Sequence, residues 1–116
     1  MKKLFWLGSS KKDLKALPDE IQEIFGFALY QAQIGNKHSQ TKVLKGFGSA
    51  AILEVVEDCN GGTFRAVYTV KFKETIYVLH CFQKKAKRGI ETPKPDMDMI
   101  NERLKAAEAH AKGKMK

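Results

Sequence analysis

Only two cysteines, three prolines and one tryptophan occur among the 116 residues, and acids are scarce beside bases. Cys59 and Cys81 have no histidine spaced near them as a zinc site would require. Cys81 lies in an apolar run and reads as a buried thiol. No apolar run approaches the roughly 20 residues a membrane-spanning helix needs. The opening Met1-Lys2-Lys3-Leu4-Phe5-Trp6-Leu7 starts like a secretion signal, but its apolar part is short and charge returns at Lys11. A cytoplasmic protein without membrane contact is expected. Glycine-rich phosphate loops, paired metal-binding histidines and nucleophile elbows are missing too. Their absence excludes the commonest nucleotide-hydrolysing, metalloprotease and serine-hydrolase signatures, and no cofactor is expected.

What is abundant is positive charge. Lysine and arginine number 21 against 13 acids, a net charge of +8. Such a surplus favours an anionic partner: nucleic acid, acidic protein or an anionic surface. The charge is also uneven. Lys71, Lys73, Lys84, Lys85, Lys87 and Arg88 fall within 18 residues that contain a single acid, Glu74. The segment from Pro18 to Gly35 is acidic instead, so one face should be strongly positive.

The chain length suits one domain over residues 1–116. Leu4 to Leu7 reads as a first strand. Ser10-Lys11-Lys12-Asp13 has capping-box spacing and opens a short helix that ends by Leu17, before Pro18. Pro18 suits the first turn of a second helix, with Asp19 and Glu20 near its positive end. Ile21, Ile24, Phe25, Ala28, Leu29 and Ala32 form its apolar stripe, and Gly35 stops it. Asn36 to Ser49 reads as a loop. Strands are expected at Ala50–Glu57, Thr63–Lys71 and Thr75–Phe82, with Asn60-Gly61 turning the first hairpin. Lys84 to Thr92 reads as a basic loop. Thr92-Pro93 opens a last helix with Met97, Ile100, Leu104 and Ala107 on its apolar face, fraying from His110 onward. The order is that of an α+β domain: a strand, two helices, a three-stranded antiparallel meander and a C-terminal helix.

Candidate chemistry rests on cations placed along this meander. Strand alternation puts Phe64, Ala66 and Tyr68 on one face, taken as core, and Arg65 on the other. A mid-strand arginine there can floor a cleft and grip phosphate through its planar fork; pairing with Glu54 is the structural alternative. Removing Arg65 should open no cavity in the core. Lys84, Lys85, Lys87 and Arg88 follow a strand end, where they can hold phosphate or simply be solvated. Phe82 can stack on a base or serve as core. His80, read as sharing a face with Val78 and Phe82, can act as a general base or sit satisfied in the core. Lys45 can reach over the sheet from its loop, and Lys71 and Lys73 add charge at a turn.

Taken in order, Leu44-Lys45-Gly46-Phe47, Glu54-Val55, Phe64-Arg65-Ala66-Val67-Tyr68, Tyr77 to Lys85, Thr92-Pro93 and a final helix carrying Arg103 resemble the RelE/HigB-type toxins of type II toxin–antitoxin systems. The resemblance is to their phage-derived HigB-like branch and spans all but the last few residues. It implies a RelE-like microbial RNase fold and a metal-independent endoribonuclease that cleaves messenger RNA on the ribosome. It also implies neutralisation by a cognate, often helix-turn-helix, antitoxin. Arg65 matches the strand arginine at the scissile phosphate. Lys84 and Lys85 match the basic strand end, Lys45 the loop lysine, and His80 a position often occupied by histidine. Lys71, Lys73, Phe82, Lys87 and Arg88 then complete a substrate-binding surface. Val56 stands where relatives often carry a basic residue, and no terminal tyrosine or histidine matches, so the general base is unassigned. ParE-type relatives share the scaffold but act on DNA gyrase. A non-enzymatic gyrase inhibitor, or an inactive phage-derived binding module, is therefore the competing expectation.

Overall fold

A computed structural model describes residues 1–84 and 92–114. The chain order is β1 (Lys3–Trp6), α1 (Ser10–Lys15), α2 (Asp19–Gln33), β2 (Thr41–Val43), β3 (Ile52–Cys59), β4 (Gly62–Thr69), β5 (Thr75–Lys84) and α3 (Lys94–Lys114). The strands form one sheet in the order β1-β5-β4-β3-β2. β1 runs parallel to β5, and the remaining pairs are antiparallel. The α+β class and the order of the expected elements hold, in agreement with a RelE-like fold. β2 is additional: it pairs with β3 inside the stretch expected to be loop. Three residues, Thr41-Lys42-Val43, are too few to show an alternating pattern.

Local chemistry accounts for most element ends. Asn60 and Gly61 both hold positive φ, 49° and 81°, and close a two-residue hairpin between Cys59 and Gly62. Such a turn matches strand twist, and Asn-Gly tolerates it best. Gly35, at φ 88°, lies just past α2, where a left-handed residue ends a helix without steric cost. α1 is capped one residue earlier than the sequence suggests. Ser9 is the N-cap, and its Oγ donates to Asp13 Oδ2 at 2.7 Å. Ser10 is instead buried, with its Oγ donating to Val78 O.

The sheet carries a separate core on each face. Ile21, Phe25, Ala28 and Leu29 of α2 pack on Val55, Ala66, Tyr68 and Val78. On the opposite face, Ile100 and Ala107 of α3 pack with Leu44, Val67, Tyr77 and Leu79. Each fully buried large apolar side chain contributes roughly 1.5–3 kcal/mol, so the two cores clamp the sheet between helical layers. α3 remains helical through Lys114, past the residue where fraying is expected. His110 helps hold it there: its Nδ1 lies 2.8 Å from the Tyr77 hydroxyl and its ring centroid 4.1 Å from that of Phe5.

One irregularity redirects the chemistry. Val67 pairs with His80 while the next residue, Tyr68, pairs with Val78, so Leu79 is an extra residue in β5. Such a bulge breaks the two-residue alternation. Val78 therefore faces α2, whereas Leu79 and His80 both face α3. His80 and Phe82 share a face, but Val78 does not, which corrects the simple alternation expected from the sequence.

Candidate functional site

Arg65 lies on the α3 face of β4, where alternation places it, but its guanidinium is buried. Its Nη1 donates to Glu54 Oε1 at 2.7 Å and to Thr92 Oγ1 at 3.3 Å, and the residue is 3% exposed. The hairpin register explains the pair. The Asn60-Gly61 turn sets Val56 opposite Arg65, and Glu54 stands two residues along on the same face. A charge-assisted bond of this length locks both side chains.

Glu54 also lines a cleft of about 510 Å³. Val43 and Leu44 form one apolar wall and Met97 of α3 the other. Lys42, Lys45 and Lys94 supply cations around the same cleft, and Thr92 closes it beside Glu54. Gly46, at φ 106°, permits the close approach: a Cβ there would stand 2.9 Å from Met97 Cε. The lining of the cleft thus combines a carboxylate, itself paired with the buried Arg65, with exposed ammonium groups.

A second polar group lies between β5 and α3. His80 Nε2 is 2.8 Å from Asp96 Oδ1, and Arg103 Nη1 is 3.5 Å from His80 Nδ1. The Nε2–H tautomer satisfies both contacts. Arg103 also donates to Leu79 O at 2.9 Å and Ser9 Oγ at 3.0 Å. The His80 ring stacks on Phe82 with centroids 4.5 Å apart, and Phe82 stands opposite Arg65 across the ladder. Asp96 belongs to the first turn of α3, next to Met97. The partly buried network therefore ties α3, which carries one cleft wall, to β5, the strand paired with the one that holds Arg65.

The structure brings only part of the expected set together. Arg65, His80, Phe82 and Lys84 share one sheet face, and Lys45 lines the adjoining cleft. Phe82 is stacked within the protein, 8% exposed, so its ring is engaged by His80. Lys84 is buried at 7% exposure, beside Thr63 at the end of β5. Lys71 and Lys73 lie in the β4–β5 turn, at the other end of the strands, roughly 25–30 Å from Lys84. There Lys71 pairs with Glu108 at 3.2 Å and lies 5.9 Å from the Phe72 ring centroid, away from the cleft. Lys85, Lys87 and Arg88 lie outside the described residues. Glu54 as a cleft residue, Asp96, Met97, Lys42 and Lys94 escaped sequence reasoning. The hairpin register carried a signal for Glu54; the α3 residues depend on how the helix docks.

Among the described residues, no group of three or more His, Cys, Asp or Glu side chains could hold a metal ion. No described helix is long and apolar enough to cross a membrane.

A five-stranded sheet with α3 on one face and α1 and α2 on the other, and a cationic cleft at its edge, defines a small basic α+β protein. The chain matches the family of Gp49-like phage-derived proteins (DUF891) over residues 12–105, and it belongs to that family. No curated protein matches it.

Proposed function

We propose that this chain is the toxin of a toxin–antitoxin pair: a metal-independent endoribonuclease that cleaves messenger RNA on the ribosome, blocks translation and is neutralised by a cognate antitoxin. The Gp49-like family is associated with RelE-like toxins. The observation that carries the reading is Glu54, which lines a lysine-rimmed cleft and is held by Arg65.

The chemistry fits those groups. The substrate's 2′-hydroxyl loses its proton and attacks the adjacent phosphorus. The bond from phosphorus to the 5′-oxygen breaks, leaving a 2′,3′-cyclic phosphate and, after protonation, a 5′-hydroxyl. Glu54, a carboxylate lining the cleft, is the acceptor for the first proton. Arg65 fixes that carboxylate and holds positive charge behind the developing phosphate dianion, in a water-poor setting where charge acts strongly. Lys84, on the same face, supplies a further cation near the leaving oxygen. A ribosome that orients the messenger contributes several kcal/mol by positioning alone.

One observation favours a second reading. Arg65 is engaged by Glu54 and Thr92, so its charge is already committed within the fold, which favours a non-enzymatic binding module or a gyrase-inhibiting toxin. A messenger-cleavage assay with ribosomes, run beside a gyrase supercoiling assay, separates the two. Cleavage without effect on supercoiling supports the endoribonuclease; the reverse result replaces it.

A further inference from the structure

We propose that the cleft beside Glu54 is a subsite for one unpaired nucleotide, with its base between the walls of Val43, Leu44 and Met97 and its flanking phosphates on Lys42, Lys45 and Lys94. This deepens the endoribonuclease reading and rests on it for its biological meaning. Three features argue for this ligand. First, the cavity, about 510 Å³, falls within the range of about 300–1,000 Å³ typical of small-molecule sites. Second, apolar walls and cations meet in one concavity, which suits a flat apolar ring carrying anionic groups at its ends. Unstacked RNA bases are read in this way. Third, the lining includes Glu54. A carboxylate accepts hydrogen bonds from ribose hydroxyls and base amines, donors that acidic side chains do not offer. The lysines are available for phosphate: Lys42 and Lys45 are exposed, and among the described residues Lys94 meets only Asp98, at 3.8 Å in an exposed contact. A pair of that kind is worth little and is readily exchanged for phosphate.

The test is calorimetric titration of the full chain with adenosine 3′,5′-bisphosphate, a single nucleotide with a phosphate on each side. Inorganic pyrophosphate and a short polyglutamate peptide are the comparison ligands. Saturable binding of the bisphosphate is expected, at least about tenfold tighter than pyrophosphate, because only the nucleotide fills the apolar walls. Met97→Asp should weaken it by about tenfold or more. Val43→Asp, at an exposed edge-strand position, should act in the same direction if Met97→Asp fails to fold. Lys42→Gln combined with Lys94→Gln should weaken binding and flatten its salt dependence. Pyrophosphate binding as tightly as the bisphosphate overturns the subsite, and so does tighter binding of polyglutamate. Messenger cleavage with no bisphosphate binding also overturns it while leaving the endoribonuclease standing. Bisphosphate binding without cleavage supports the subsite and removes the enzymatic reading instead.

Discussion

Glu54 Oε1 accepts a hydrogen bond from Arg65 Nη1 at 2.7 Å, with both side chains at least 95% buried. Each charge is tolerable there because the other is present. Arg65→Ala is therefore expected to do more than remove a cation, because it strands a buried carboxylate. A loss of about 3–5 kcal/mol is expected. The double variant Arg65→Leu with Glu54→Leu should recover much of that loss, because no isolated charge remains. Urea denaturation of Arg65→Leu, Glu54→Leu and the double checks this. Additive losses would show that the pair is not coupled. The sequence alone suggested that Arg65 could be removed without harm to the core; burial of its ion pair changes that expectation.

Stability should fall in alkali. Burial pushes the Cys81 thiol up to about 12 from its ordinary value of 9.0, and it raises the Tyr68 and Tyr77 phenols above 10.0. The folded protein thus keeps protons that the unfolded chain releases. The Cys81 contribution is fully present below about pH 9 and is lost as pH rises from there toward about 12. Urea midpoints measured at about pH 8 and about pH 10.5 should decrease with pH, and Cys81 should resist alkylating reagents until the protein unfolds. A midpoint unchanged across that range contradicts the assignment.

Arg103 joins three elements: α3, the bulged part of β5 through Leu79 O, and the start of α1 through Ser9 Oγ. Arg103→Ala is expected to cost about 1.5–2 kcal/mol, the lower part of the range for charge-assisted bonds because the group is partly exposed. Gly8→Ala should strain the same junction, since φ there is 54° and an added Cβ would stand 2.9 Å from Arg103 Nε. Thermal unfolding of both variants tests this, and wild-type stability in both would remove the tether.

Sequence patterning reached the layers but not the bulge. Stripes such as Ile21, Phe25, Ala28 and Leu29 in α2 have a clear helical period, and they lie in the core as that period requires. Asn60-Gly61 fixed a hairpin and, with it, the cross-strand neighbours of Arg65. Leu79 is different: one extra residue in an unbroken apolar strand leaves no compositional mark, yet it turns His80 toward Asp96 and α3. The cleft was equally hidden. Lys45 was visible as a loop lysine, but its neighbours Met97 and Lys94 come from a helix more than 45 residues later. Only docking of α3 joins them.

On the proposed function, the antitoxin places an acidic segment on the basic surface. The net charge of +8 should steer that encounter, so its association rate should fall as salt rises while dissociation changes less. Stopped-flow mixing with the purified antitoxin across a salt series measures this. A rate that is flat with salt would exclude electrostatic steering.

Cleavage of a messenger on purified translating ribosomes, mapped by primer extension, tests the central assignment most directly. The wild-type chain should cut the messenger, and Glu54→Gln, which keeps an oxygen for Arg65 to donate to but removes the proton-accepting charge, should lower stability and, compared per folded molecule, slow cutting by about a hundredfold or more. Arg65→Lys should also be slow, because an ammonium cannot reproduce the guanidinium fork. An intact messenger with the wild-type chain, or a folded Glu54→Gln variant that cuts at the wild-type rate, would contradict the account.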